Sequence, residues 1–213
     1  MKYDIICADP PWDMPGVYGA VPRTSLPGHK HQCGPCYNVM RTSDIKALNI
    51  NDLAAPDGVL FLWVINSLIR DGLDVLEAWG YHVNGTAVWV KTKLDGSVSN
   101  MGLRRPFKAS HEIALIGVKN GFTKKMVSMN EPSVVIDKRI HNWERKTSSV
   151  PTHSRKTELF YDALERIYPN ANKLELFARR DRPGWTCCGN ELPALGDRPD
   201  KEDIRASIER LSK

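Results

Sequence analysis

With 213 residues, of which 41% are hydrophobic and 26% charged, the chain has the composition of an ordinary globular protein and the length for one well-filled core. No apolar run approaches the roughly 20 residues of a membrane-spanning helix, and Met1-Lys2-Tyr3-Asp4 leads into a strand rather than a signal peptide, so a cytoplasmic protein is expected. The five cysteines (Cys7, Cys33, Cys36, Cys187, Cys188) are odd in number and two are adjacent, a poor disulfide framework that fits a reducing compartment.

The first predicted element is a buried parallel strand, Tyr3 to Ala8, that opens abruptly into Asp9-Pro10-Pro11-Trp12. Open α/β sheets bind ligands at that strand edge. The four residues suit methylation of an amine. The exocyclic amine of adenine is a poor nucleophile, because its lone pair is delocalised into the ring. Asp9 can accept one of its N–H bonds and the Pro10 carbonyl the other, Pro10 and Pro11 stiffen the loop, and Trp12 offers a face for an extruded base. Further on, Thr42-Ser43-Asp44-Ile45 marks a helix start, and Gly58 to Val64 is an apolar run typical of a central strand. From Asn66 or Ser67 the positions Leu68, Ile69, Leu73, Leu76 and Trp79 predict a helix that stops at Gly80. Val88 to Val90 and His111 to Val118 read as strands around a polar loop from Lys91 to Lys108. A last unit runs from a helix at about Lys156 to Tyr168 into a strand from Lys173 to Ala178, and a tail helix after Asp197 would turn Ile204, Ile208 and Leu211 to one face. The pattern predicts a mostly parallel sheet flanked by helices.

The net charge of +5 permits a polyanionic partner. Arg104-Arg105 with Lys108, Lys124-Lys125, Lys138-Arg139 with His141, Arg145-Lys146, and Arg179-Arg180 with Arg182 fall mostly between elements, where they could meet phosphates or simply be solvated loop tips.

Asp9 to Trp12, Leu60-Phe61-Leu62-Trp63-Val64, His153-Ser154-Arg155-Lys156, Leu174 to Arg179 and Gly189-Asn190-Glu191-Leu192 together resemble the adenine-N6 methyltransferase family of the messenger-RNA methyltransferase 70-kilodalton subunit. The resemblance runs to about Leu192. It implies a methyltransferase domain over 1–192 with a Rossmann-like fold, a substrate-loop insertion at about 13–36, and a helical tail over 193–213. It also implies transfer of a methyl group from S-adenosylmethionine to the N6 amine of adenine in nucleic acid. Lys156 matches the family lysine that faces the cofactor carboxylate, a role that a helix N-terminus would reinforce. Arg179, Asn190 and Glu191 match residues near the cofactor ribose, and Glu175 is expected to orient Lys156 or Arg179 or to form a structural salt bridge. Tyr37 and Met40 match the segment that approaches the target base, and Lys108 is a further candidate substrate contact. The resemblance to stand-alone microbial or phage members favours DNA, with RNA as the alternative. A non-catalytic partner subunit is a third reading, against which Asp9, Trp12, Lys156 and Asn190 all stand. A homodimer is the candidate assembly.

The insertion holds His29, His31, Cys33 and Cys36, which could bind zinc, although the spacing is tighter than that of usual fingers. The other reading is a substrate loop that orders over nucleic acid. Neither reading calls for a catalytic metal, because methyl transfer from a sulfonium needs alignment and charge relief.

Overall fold

All six residues of β1 (Tyr3–Ala8) are buried, because both faces of the strand are covered. Ile6 and Ala8 turn to one apolar layer and Ile5 and Cys7 to the other, the period-two alternation of a central strand, while Tyr3 joins the first layer across a register irregularity between Tyr3 and Ile5. The computed structural model describes residues 2–13, 39–93, 95–99, 106–128, 130–138, 155–189 and 203–213. Among them β1 lies within a seven-stranded sheet of order β5-β3-β4-β2-β1-β6-β7.

The other strands are β2 (Ala54–Val64), β3 (His82–Thr92), β4 (His111–Val118), β5 (Val134–Lys138), β6 (Lys173–Leu176) and β7 (Trp185–Cys188). β1 is parallel to β2 and β6, β6 to β7, and β3 to β5, whereas β4 is antiparallel to both β2 and β3. The mostly parallel α/β sheet expected from the sequence is therefore present, with one reversed strand. Three helices, α1 (Thr42–Lys46), α2 (Ile69–Ala78) and α4 (Ile204–Ser212), cover one face through Ile45, Val75, Leu76, Ile204 and Ile208. The helix α3 (Glu158–Ile167) covers the other through Phe160, Tyr161 and Leu164. Gly80, the expected stop of α2, has φ 79°, a left-handed turn that other residues rarely adopt. Among the described residues no helix is long and apolar enough to cross a membrane.

Several boundaries differ from the sequence expectation, each for a physical reason. β2 begins at Ala54 rather than Gly58, and β3 is eleven residues long rather than a short run around Trp89. The polar half of β3 hides it from an apolar-run criterion. Lys91 therefore lies inside a strand and is buried, not in a polar loop. β5 is a short edge strand whose alternate residues are exposed, and β7 has only four residues, so neither gives a continuous apolar signal. The helix α3 starts at Glu158, not Lys156, because Thr157 is its N-cap and accepts the Leu159 N–H at 3.3 Å.

Two features of the topology prepare a site. From β1 the chain crosses to β2 on one side, whereas α3 delivers β6 to the other side of β1. The carboxyl ends of β1 and β6 thus flank a topological switch point, the crevice where open α/β sheets bind ligands. Thr157 also donates its hydroxyl hydrogen bond to Asp137 of β5, so one buried side chain ties the edge strand to the start of α3 and fixes the residue before it, Lys156. Thr157→Ala is expected to cost about 1–2 kcal/mol. Denaturant unfolding checks this: the midpoint falls while the slope stays unchanged, and an unmoved midpoint would remove the cap from the account.

Candidate active site

The Asp9-Pro10-Pro11-Trp12 loop leaves β1 between two partners, since Ala8 pairs with Leu62 on one side and Leu176 on the other. A chain of backbone bonds then shapes it. Trp12 N–H donates to the Pro10 carbonyl at 2.9 Å, Met40 N–H to the Pro11 carbonyl at 2.7 Å, and Asp13 N–H to the Met40 carbonyl at 2.9 Å. Met40, expected to approach the substrate, thus clasps the loop at the root of the insertion and packs against the core.

Trp12 differs from expectation. Its side chain is 5% exposed within the apolar layer of α1, α2 and α4, and its indole N–H donates to the Trp63 carbonyl at 3.0 Å. In the structure it anchors the Asp-Pro-Pro turn to the end of β2 instead of presenting an open stacking face. Apolar packing on one side and a partner for the N–H on the other make this the stable resting place for an indole.

Asp9 does not stand alone. The Lys156 ammonium lies 2.8 Å from its Oδ2 and 3.0 Å from Glu112 Oε2, and Glu112 Oε1 in turn accepts from Lys91. The four groups alternate in sign, Lys91, Glu112, Lys156, Asp9, along one face of the sheet edge. Both ammonium groups also lie over indole rings, Lys91 at 4.6 Å from the Trp89 centroid and Lys156 at 5.3 Å from that of Trp63. Burial alone would disfavour every charge here, but the partners outweigh it. For Glu112, burial raises the pKa, yet Lys156 and then Lys91 bring it down to about 2. For Lys156, burial lowers the pKa, yet Asp9 and then Glu112 lift it to about 12. Both groups stay ionised across the physiological range. Glu112 and Lys91 were not singled out by the sequence. The available signal was a Glu at the second position of an otherwise apolar strand and a Lys at the end of Val88-Trp89-Val90.

Glu175 occupies the expected strand edge but does not touch Lys156. It accepts the Tyr161 hydroxyl at 2.7 Å, while its Oε2 is buried without a partner among the described residues. Burial holds its pKa above the usual carboxylate value. Arg179 follows the turn at Phe177, whose φ of 61° is strained for a non-glycine residue. Gly189 lies so close beneath this turn that a Cβ would come within 2.1 Å of the Ala178 carbonyl oxygen. Lys108 is exposed just before β4. Arg180, Arg182 and Lys125, read from the sequence as either phosphate contacts or solvated loop tips, pair with acidic side chains: both arginines bind Glu158 of α3, and Lys125 binds Asp4. These cations stabilise the fold. Tyr37, Asn190, Glu191 and the zinc candidates His29, His31, Cys33 and Cys36 lie outside the described residues.

Residues 3–191 match the sequence profile of the MT-A70 family. The chain belongs to the MT-A70 family. It is similar to the N(6)-adenosine-methyltransferase MT-A70-like of Arabidopsis thaliana, 32% identical over 96% of this chain and 25% of the relative. The N(6)-adenosine-methyltransferase catalytic subunit METTL3 of Homo sapiens is 29% identical over 91% of this chain and 29% of its own. The type II methyltransferase M.MunI of Mycoplasma sp is 26% identical over 90% of this chain and 78% of its own. The chain thus spans about a quarter of the length of the MT-A70-like relatives.

The methyl donor of MT-A70 methyltransferases, S-adenosylmethionine, carries an ammonium, a sulfonium and a carboxylate, and the switch-point edge suits it. Glu175 leaves one buried carboxylate oxygen to meet a cation, and the lack of a side chain at Gly189 lets the strained Phe177–Ala178 turn pack directly on its backbone at the same edge.

The ion ladder makes stability depend on pH. Glu112 has a folded pKa below its ordinary 4.5, so its contribution is present above 4.5 and is lost as pH falls through about 2. Glu112→Gln is expected to cost roughly 2 kcal/mol at neutral pH. In paired thermal melts that deficit shrinks as the pH drops through that window, and a deficit constant with pH would contradict the ladder.

Proposed function

We propose that the protein transfers a methyl group from S-adenosylmethionine to N6 of adenine in DNA. The observation that carries this reading is the Asp9-Pro10-Pro11 turn, fixed at the switch-point crevice with its carboxylate held by Lys156. The match over 78% of a type II methyltransferase favours DNA. RNA is the second reading, favoured by the relatives named N(6)-adenosine methyltransferases.

Bound S-adenosylmethionine supplies a methyl group on a good leaving group, a sulfonium sulfur. The rest is positioning. Lys156 holds Asp9 through Oδ2, which leaves Oδ1 to accept one adenine N–H. The Pro10 carbonyl, with one lone pair engaged by Trp12 N–H, accepts the other with its second. As positive charge builds on N6, these two acceptors strengthen, so their effect is greatest in the transition state. Lys156 holds Asp9 in place, and its expected contact with the cofactor carboxylate is made only by sharing a cation that already serves two carboxylates. With Trp12 buried, stacking on the target base falls to Tyr37. Glu175, Arg179, Asn190 and Glu191 are the proposed cofactor contacts.

Mass spectrometry of nucleosides digested after incubation with S-adenosylmethionine and duplex DNA, single-stranded DNA or RNA tests the reading. N6-methyldeoxyadenosine is expected. N6-methyladenosine alone would move the assignment to RNA, and neither product would overturn it. Lys156→Ala should slow turnover about 100-fold while weakening binding of S-adenosylhomocysteine by less than about tenfold. Calorimetry and steady-state kinetics measure both, and the reverse ranking would restore the cofactor carboxylate as its main partner.

A further inference from the structure

We propose that Lys91, three strands away from β1 in the sheet, is a positioning residue for methyl transfer that acts through Glu112 and Lys156 on Asp9. The inference rests on the function proposed above and adds a residue to its machinery. Lys91 lies near the end of β3, where Trp89 pairs with Glu112 across the antiparallel β3–β4 ladder. Its ammonium is turned onto Glu112 and over the Trp89 ring, and the residue is only 8% exposed. At that burial it is poorly placed to meet a phosphate. What it meets is the carboxylate that competes with Asp9 for Lys156.

The charges decide what this contact does. Among the described residues, the ladder with Lys91 holds two ammonium groups and two carboxylates, equal charge of each sign. Without it, two carboxylates draw on one ammonium in a site partly closed to water, where uncompensated charge is costly. Glu112 is fixed within β4, whereas Asp9 sits on the turn beyond β1. The member that yields is therefore Asp9, the group whose oxygen must meet the adenine N–H. The depressed pKa of Glu112, to which Lys91 contributes, is consistent with this coupling.

The test uses the full chain and the polynucleotide that it methylates, with single-turnover rates at saturating S-adenosylmethionine. Lys91→Met is expected to slow transfer about 10- to 100-fold with the polynucleotide KM within about twofold. Lys91→Arg should retain most of the rate. The double variant Lys91→Met/Glu112→Gln, which removes one charge of each sign, should be no slower than Lys91→Met alone, a non-additivity that independent sites do not show. A raised KM with an unchanged rate would make Lys91 a nucleic-acid contact and overturn the proposal, as would losses that multiply in the double variant.

A second readout stands apart from activity and remains if Lys91→Met folds poorly or the wild type transfers no methyl. In the cofactor-free protein the carbon-13 carboxyl resonance of Asp9 should move in Lys91→Gln and return toward the wild-type position in Lys91→Arg. A resonance unmoved in Lys91→Gln would overturn the positioning role, whereas an inactive wild type with a moving resonance would overturn only the proposed reaction.

Discussion

One buried ammonium, that of Lys156, holds together the parts from which the candidate site is built. It lies 2.8 Å from the Asp9 carboxylate and 3.0 Å from that of Glu112. Those three residues come from the turn after β1, the segment before α3 and the reversed strand β4. No local propensity brings them together, so the fold must. The ammonium helps Glu112 stay ionised in a partly buried place, and the two carboxylates in turn keep the ammonium charged.

The rest of the architecture supports that junction. β1 is buried on both faces and sets the height at which Asp9 emerges. Trp12 ties the turn to the Trp63 carbonyl, and Met40 closes it from the far side of the insertion. On the opposite flank Thr157 caps α3 and reaches Asp137 of β5, so that Lys156 enters the crevice from a rigid base. Phe160 packs edge-on against both Phe61 and Trp63 below, which fixes α3 against the sheet. A carboxylate held this way needs little reorganisation when charge develops nearby.

The sequence made some of this legible and hid the rest for physical reasons. β1, the apolar core of β2, α2 and its Gly80 stop declare themselves through periodicity and turn chemistry, and the Asp9 to Trp12 turn through its composition. The family followed from several short motifs taken in order. Glu112 and Lys91 were hidden because a single charge in an apolar strand looks like a strand end, and only the β3–β4 register shows the two side by side. The partners of Lys156 were hidden for a related reason: its motif names a lysine but not the carboxylates that close on it. Trp12 read as a stacking face, and the indole bond to the Trp63 carbonyl shows it packed into the core instead. Arg180, Arg182 and Lys125 stayed open between phosphate contacts and solvated loop tips because sequence shows clustering but not the acidic partners on other elements.

The most direct test of the central claim is the single-turnover rate of methyl transfer by Asp9→Ala, measured beside its affinity for S-adenosylhomocysteine. If Asp9, held by Lys156, aligns and relieves the amine, the rate falls by at least about 10³-fold while affinity changes only a few-fold. A folded Asp9→Ala protein that transfers methyl groups at a rate near that of the wild type would contradict the account.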